Sequence, residues 1–557
     1  MEELSSKHNF TDEEKSCITH FNANLAQNED GRFIVKLPFK ENCHHIGNSF
    51  NAALRRFLSL EKRLVKNPEL YTKYKMFMSE YESLNHMERV YDMGGDKQVI
   101  DHTKCFYLPH SYVINDRSRT TKLRVVFDGS AKSSSGVSLN DILMNGPKVQ
   151  PDLFEIVVRF RTHKYAFSAD ITKMYRQVLV HEEDRDYQRV LWRSDPNDEV
   201  KVYRLCTVTY GLAPAGFLAI SCVNRISDKT TNTKLKEIIK NDFCVDDCLT
   251  GADTLMEAIE LRNELISIMQ SVGFELSKWT TNHTDLSPKH NKNELTTISM
   301  DRERVKTLGL YWEPESDYYT YVVQAPKIKT EATKRHILAG LATLFDPLGL
   351  VGPVILVGKI LLQSLWREKI GWDSPVPPHI QLEWETYNNY LNELNSFNIP
   401  RWLGSDKKKQ IEIHGFADAS MKAYGACIYM RTTDTEGIIK SQLVCAKSRI
   451  APVNVISIPR LELCAALLLS RLIDVIIPAL RLNISRRYLW TDSTVTLAWI
   501  AAESSKWKTF VANRVGEIHT LTDRAEWGHV TSNDNPADVL SRGCTPSELK
   551  YNTQWLG

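Results

Sequence analysis

Hydrophobic and polar positions change period several times along the chain, and each change marks an element. From about residue 48 to 87 the spacing is helical: Phe50, Leu54, Phe57 and Leu58 form one stripe, with Arg55, Arg56, Lys62 and Arg63 largely outside it. Before that, only 33–37 reads as a strand. Residues 106–110 and 123–127 are strand-like. An apolar strand from Tyr165 runs into Asp170, a turn carries Tyr175, and a second strand starts at Val178. A helix follows the turn at 209–216, whose two glycines allow close backbone approach. Residues 241–251 read as a hairpin with Asp246 and Asp247 at its tip. Helices with proline-rich joins, including 361–366 and 379–394, fill 326–403. Beyond them come a strand ending at Asp418, a strand at 424–430 and a helix at 459–472. A strand ending at Asp492, a helix at 494–500 and a helix opening at Asp538 complete the chain.

Composition narrows the class. A length of 557 residues predicts about three or four domains, and 42% hydrophobic with 25% charged residues is the balance of a soluble globular protein. The net charge of +2 excludes a nucleic-acid argument from bulk electrostatics, so such a partner needs local basic patches. Eleven cysteines, with no Cys-x-x-Cys pair and no zinc-ligand spacing, read as reduced thiols of an intracellular protein. The polar, acidic N-terminus carries no secretory signal. The apolar run 349–366 is broken by glycines, Pro353 and Lys359, and 461–480 carries Glu462, Arg471 and Asp474, so no membrane span is expected.

The chemistry lies in the acids. Adjacent carboxylates at a hairpin tip near a core are costly without a cation, although a solvated acidic turn gives the same sequence. Asp170 at a strand end is either a cap for the turn or a metal ligand. Arg117, Arg119, Lys122 and Arg124 are either a basic loop or a clamp on a triphosphate. Glu462 shares a helix face with Ala465, Ala466 and Leu469, and a carboxylate there needs a proton or a cation. Asp418, Asp492 and Asp538 taken singly are caps or turn residues.

Together the motifs resemble a reverse transcriptase palm followed by a ribonuclease H. Asp170 has an aromatic five residues on. Tyr210-Gly211-Leu212 leads an Ala-Pro turn, and Val245-Asp246-Asp247 closes a hairpin. The wording of 123–130, 245–251 and 344–350 is similar to the BEL/Pao class of long-terminal-repeat retrotransposon polyproteins, from about Gly31 to the C-terminus. The resemblance implies an α/β and α+β multidomain chain. A helical connector (1–90) precedes fingers and palm (91–285) and a thumb and connection (286–404). A ribonuclease H-like α/β domain (405–545) and the start of a linker toward an integrase (546–557) follow.

It also implies RNA-directed DNA polymerase and hybrid ribonuclease activities, with two Mg²⁺ ions per site. In the palm these would be held by Asp170 and Asp246, with Asp247 as a secondary candidate because neighbouring strand residues face opposite ways unless the turn rotates both inward. In the second domain, Asp418, Glu462, Asp492 and Asp538 match the four acids of ribonuclease H. Tyr175 matches the aromatic under the incoming sugar, and Lys122 and Arg124 match triphosphate ligands. Tyr210 and Gly211 match the nucleotide-pocket turn, and Lys278 matches a lysine near the pyrophosphate. Residues 308–312 match the hairpin that grips the primer.

Implied partners are an RNA template, a DNA primer, the RNA–DNA hybrid, deoxynucleoside triphosphates and other polyprotein domains, in a cytoplasmic retroelement particle without a membrane. One departure stands out: Cys244 replaces the usual Tyr or Phe before Val-Asp-Asp. It favours a second reading, a decayed or domesticated copy that holds nucleic acid without efficient turnover. An aspartic peptidase is excluded by the lack of an Asp-Thr/Ser-Gly triplet, and the integrase cysteine and histidine pattern is absent.

Overall fold

A computed structural model describes residues 10–41, 46–90, 105–114, 123–288, 305–323, 331–406 and 409–556. The expected helical stretch after residue 48 is two helices, Phe50–Val65 and Pro68–Ser83, because Asn67 caps the second and Pro68 sits in its first turn. A further helix, Asp12–Asn24, is opened by a Thr11/Glu14 capping box. These helices were expected as a separate connector, but they share one hydrophobic core with residues 105–286. Strand Phe33–Val35 pairs in parallel with Leu179–Val180, and Phe21 packs edge-on against Phe217.

At the centre of this lobe is a four-stranded antiparallel sheet, ordered Phe243–Cys244, Asp247–Ala252, Tyr165–Ile171, Leu276–Thr281. Helix Leu255–Gln270 packs on it. Next in the chain, hairpin Val305–Thr307/Leu310–Glu313 turns at Leu308 and Gly309, both at positive φ, and extends through Tyr318–Thr320 to Asn398–Pro400.

The last third forms a five-stranded sheet: Ile439–Ile450, Ala423–Thr433, Gln410–Ala419, Arg486–Thr491, Trp527–His529. The first three strands are antiparallel and the remaining two join in parallel. Helix Ile458–Leu480 covers one face; Gly415 has no side chain because Leu469 presses within 2.6 Å of where a Cβ would be. By length and a mean hydropathy of 2.1 this helix alone among the described helices matches a membrane span, but about 67% of that stretch is buried inside the protein. Helices Gly352–Arg367 and Ala537–Arg542 pack on the antiparallel strands, so part of the expected thumb and connection lies against this domain. Residues 546–556 also differ from the expected linker. They form two short helices, and Trp555 is fully buried, donating to the Leu350 carbonyl at 2.8 Å.

The two lobes meet across a continuous apolar core that includes Ile156, Val157 and Phe160 from one side and Ile476, Leu480 and Val444 from the other. Arg161 is buried in this junction with no carboxylate partner among the described residues. Its guanidinium donates to four carbonyls, Pro400, Arg401, Leu443 and Val444, at 2.7–3.0 Å, and burial pulls its pKa down to about 10. Arg401 in turn grips Asp317 with two bonds, at 2.6 and 2.8 Å. Replacing Arg161 with Met leaves four buried carbonyls unpaired, so Arg161→Met should destabilise the protein by at least about 3 kcal/mol. A urea midpoint unchanged from the native chain would contradict this.

Candidate active sites

Strand Tyr165–Ile171 is apolar up to its end because it is central in its sheet, and it delivers Asp170 to the sheet's rim. Asp170 lies directly opposite Asp247 in the ladder, and the Ile171 N–H donates to the Asp246 carbonyl at 2.8 Å. That bond makes 170/247 a non-hydrogen-bonded pair, whose side chains share a face with Cβ atoms about 4.5–5.5 Å apart. Asp246 occupies the turn just before. Burial first, and then the charge of Asp170, raises the Asp246 pKa; burial, Asp246 and Asp170 together push Asp247 up to about 7. The turn therefore brings both acids to Asp170, and Asp247 is the one aligned across the ladder.

Non-glycine residues in the left-handed region surround these acids: Lys173 (φ 53°), Val245 (φ 57°) and Lys278 (φ 52°). A β-branched residue at positive φ is costly, and such strain concentrates where a side chain has to be aimed. At Lys278 it coincides with a break in strand register between Ser277 and Thr280. The displaced lysine turns its ammonium onto Asp170 Oδ2 at 2.8 Å. Tyr175, half-buried in the short helix Met174–Gln177, lies edge-on to Tyr210 at 6.3 Å; burial and then the charge of Asp246 raise its pKa. Tyr210 donates to the Val125 carbonyl at 2.8 Å. Gly211, at φ 100°, admits no side chain, since a Cβ would lie 2.1 Å from the Phe127 carbonyl oxygen. Arg124 projects exposed from strand Leu123–Phe127, and its charge reaches Asp246. Lys122, with Arg117 and Arg119, lies outside the described residues.

Several residues of this site carry no sequence signal. Asn140 accepts from the Ala213 N–H (2.8 Å) and donates to the Gly211 carbonyl (3.0 Å), fixing the turn. Behind Tyr175, Arg176 lies over the Tyr81 ring at 4.0 Å, donates to His86 and pairs with Glu80. A helix that reads as ordinary amphipathic surface thus supports the aromatic platform.

In the second domain, strands Gln410–Ala419 and Arg486–Thr491 are parallel neighbours, so Asp418 and Asp492 emerge together at their ends. Glu462, in the second turn of helix Ile458–Leu480, completes a group whose carboxylate oxygens lie within 4.8 Å of one another. The chemistry of this set fits a divalent cation: three hard oxygen donors, and a Glu462 Oε2 that is buried with no hydrogen-bond partner among the described residues. Burial and then Asp418 and Asp492 push Glu462 up to about 9. Burial, opposed by the Ser541 hydroxyl, and then Asp492 and Asp538 bring Asp418 to about 6. Ser532 donates to Asp492 at 2.6 Å and Ser541 donates to Asp418. Asp538 opens helix Ala537–Arg542 as expected; it adds its charge to Asp418 and Glu462 and pairs with Arg542 at 2.8 Å. His529 closes strand Trp527–His529. Of the basic residues near by, Arg514 lies 3.6 Å over Phe510.

The four-stranded sheet with its acidic hairpin and the five-stranded sheet with its acid triad together give a fold similar to a reverse transcriptase carrying a ribonuclease H-like domain. Residues 333–493 match the family model described as Pao retrotransposon-like RNaseH-like domain. The match begins in the segment expected as thumb and connection and ends before Asp538.

The fold is similar to two solved structures. One is the foamy viral protease-reverse transcriptase in complex with RNA/DNA hybrid (TM-score 0.53, 13% identity, 94% of this chain and 61% of that one). The other is the foamy viral protease-reverse transcriptase dRH in complex with ds DNA (TM-score 0.50, 13% identity, 81% and 68%). The chain thus spans about two thirds of the length of these neighbours. A comparison with curated proteins gives no match.

The triad has a pH signature. With raised carboxyl pKa values the folded state holds protons that the unfolded chain releases near pH 4. Without a cation, the stability these two groups contribute is therefore fully present below about pH 4 and is lost as pH rises through about 6 (Asp418) and about 9 (Glu462). Above pH 7, where the imidazoles of His86, His110 and His163, whose pKa values burial lowers, no longer oppose it, the thermal midpoint in chelator should drop toward pH 9, and added Mg²⁺ should restore it. Glu462→Gln should flatten the slope above pH 7; an unchanged slope would dissociate it from Glu462.

Proposed function

We propose that the chain is an RNA-directed DNA polymerase with a ribonuclease active on RNA–DNA hybrids. The observation that carries the reading is the duplicated carboxylate arrangement: Asp170 opposite Asp247 beside Asp246 in one lobe, and Asp418, Glu462 and Asp492 together in the other. Both suit two-Mg²⁺ phosphoryl transfer, in which the ions activate the attacking oxygen and stabilise the leaving one.

In the first centre Asp170, Asp246 and Asp247 would hold the ions. Tyr175, stiffened by Tyr210 and Arg176, forms the floor under the incoming sugar and excludes a 2′-hydroxyl. Arg124, with Lys122, draws the triphosphate by charge. Lys278 already carries a mobile ammonium at the acids, where it can move to the departing pyrophosphate and give it a proton. The hairpin around Leu308 and Gly309 would hold the primer. In the second centre Asp418, Glu462, Asp492 and Asp538 would hold the ions, with Ser541 and Ser532 fixing two of the carboxylates, and the RNA 2′-hydroxyl would select the strand cut.

Cys244 supports the second reading, of nucleic-acid binding without efficient turnover. It pairs with Asp247 across the hairpin and packs half-buried against the second core, where a thiol fills less space than a ring. Primer extension on an RNA template separates the two. The native chain should extend with Mg²⁺, and Asp246→Asn should lose at least about 10³-fold, roughly 4 kcal/mol of transition-state stabilisation. Asp492→Asn should stop hybrid cleavage and spare extension. No extension by the native chain, or equal extension by Asp246→Asn, would overturn the polymerase reading.

A further inference from the structure

Arg159 belongs to neither carboxylate centre. It is buried in helix Leu153–Phe160, where that helix packs against helix Ile458–Leu480. Its guanidinium makes three bonds in two directions. Nε donates to Asp242 Oδ1 at 2.6 Å and Nη2 donates to the Asn241 carbonyl. Nη1 donates to the Ala479 carbonyl at 3.3 Å.

Each direction leads to a centre. Asp242 stands directly before strand Phe243–Cys244 and holds both legs of the acidic hairpin. Its carbonyl accepts from the Leu249 N–H at 2.9 Å, and its Oδ2 accepts from the Thr250 hydroxyl at 2.7 Å. Burial favours the protonated form of Asp242, and Arg159 works against that. Ala479 is in the last turn of the helix that presents Glu462; carbonyls there lack an in-helix partner and favour a cation. Glu462 and Ala479 are separated by roughly 25 Å of one helix, which loses a ladder bond at Pro478 but is otherwise packed along most of its length and moves largely as one body.

We propose that Arg159 is a positioning residue shared by the two centres. One guanidinium fixes the base of the hairpin that aims Asp246 and Asp247, and also fixes the far end of the helix that carries Glu462. The inference rests on the proposed reading of both acid groups as metal-holding sites. Asp242 and Thr250 serve only the hairpin branch, so the two branches are separable.

The test uses the full chain with Thr250→Val, Arg159→Met and Arg159→Lys. Thr250→Val should raise the Mg²⁺ concentration needed for half-maximal primer extension and leave that for hybrid cleavage unchanged. Arg159→Met should raise both, roughly 10-fold for extension, the effect typical of losing an outer partner of a metal site. Arg159→Lys keeps a cation at Asp242 without the fork, so it should recover extension more than cleavage. Amide hydrogen exchange reads the same coupling without turnover. Arg159→Met should speed exchange at Leu249 and across 476–481 while sparing 423–433, whereas Thr250→Val should affect Leu249 alone. A native chain with no extension but this exchange pattern would overturn the polymerase reading and leave the coupling standing. Unchanged metal requirements beside a lowered melting temperature, or exchange raised evenly throughout the chain, would overturn the coupling.

Discussion

The arrangement of the whole molecule depends on taking guanidinium charge into an apolar junction. Among the described residues Arg161 has no counter-ion there; four carbonyl oxygens from two separate strands of chain solvate it instead. Water would solvate the same group at no conformational cost, so the bonds hold only while Pro400, Arg401, Leu443 and Val444 stay where the second lobe puts them. Arg401 adds its fork to Asp317 and donates to the Phe160 and His163 carbonyls. The apolar surfaces supply most of the association, and the directional bonds limit it to one relative placement of the lobes.

That placement explains how both acidic centres persist without collapsing the fold. Each sets carboxylates side by side at strand ends, joined in the second by Glu462 from a helix, where burial and mutual repulsion favour protons. The local cost is carried by well-packed neighbours: the central strands of two sheets, a mostly buried helix, and left-handed turns at Lys173, Val245 and Lys278. Lys278 also shows how a register break converts strain into electrostatics, by turning an ammonium onto Asp170.

Much of this was legible in the amino-acid sequence, for a definite reason. Asp170, Asp418 and Asp492 each end an apolar run, and Glu462 interrupts the apolar face of a helix, so strand and helix periodicity alone locates them. The turn residues Tyr210 and Gly211 stand out through glycine and aromatic chemistry. What periodicity does not show is long-range pairing. Arg159 and Arg161 look like ordinary charges at the end of an amphipathic helix, although most of Arg161's bonds reach about 240 to 280 residues along the chain. Asn140 and Ser541 are common loop and helix residues whose roles exist only once distant backbone is brought to them. The N-terminal helices read as a separate unit because amphipathic faces do not name their partners. In the acidic hairpin, strict strand alternation sets Asp246 and Asp247 apart, whereas a positive φ at Val245 brings both to Asp170.

Trp555 sets the order in which the second lobe is completed. Its indole is fully buried in the second core and bonds the Leu350 carbonyl, and its own carbonyl accepts from the Tyr429 hydroxyl 126 residues earlier. On a ribosome adding about 5–20 residues per second, Tyr429 therefore waits roughly 6–25 s for its partner. Through that interval the core of the nascent lobe lacks the indole that bonds Leu350. A chain released or cut upstream of Trp555 would lack the buried ring and both bonds, which makes the cellular lifetime of this lobe sensitive to where its translation or cleavage stops.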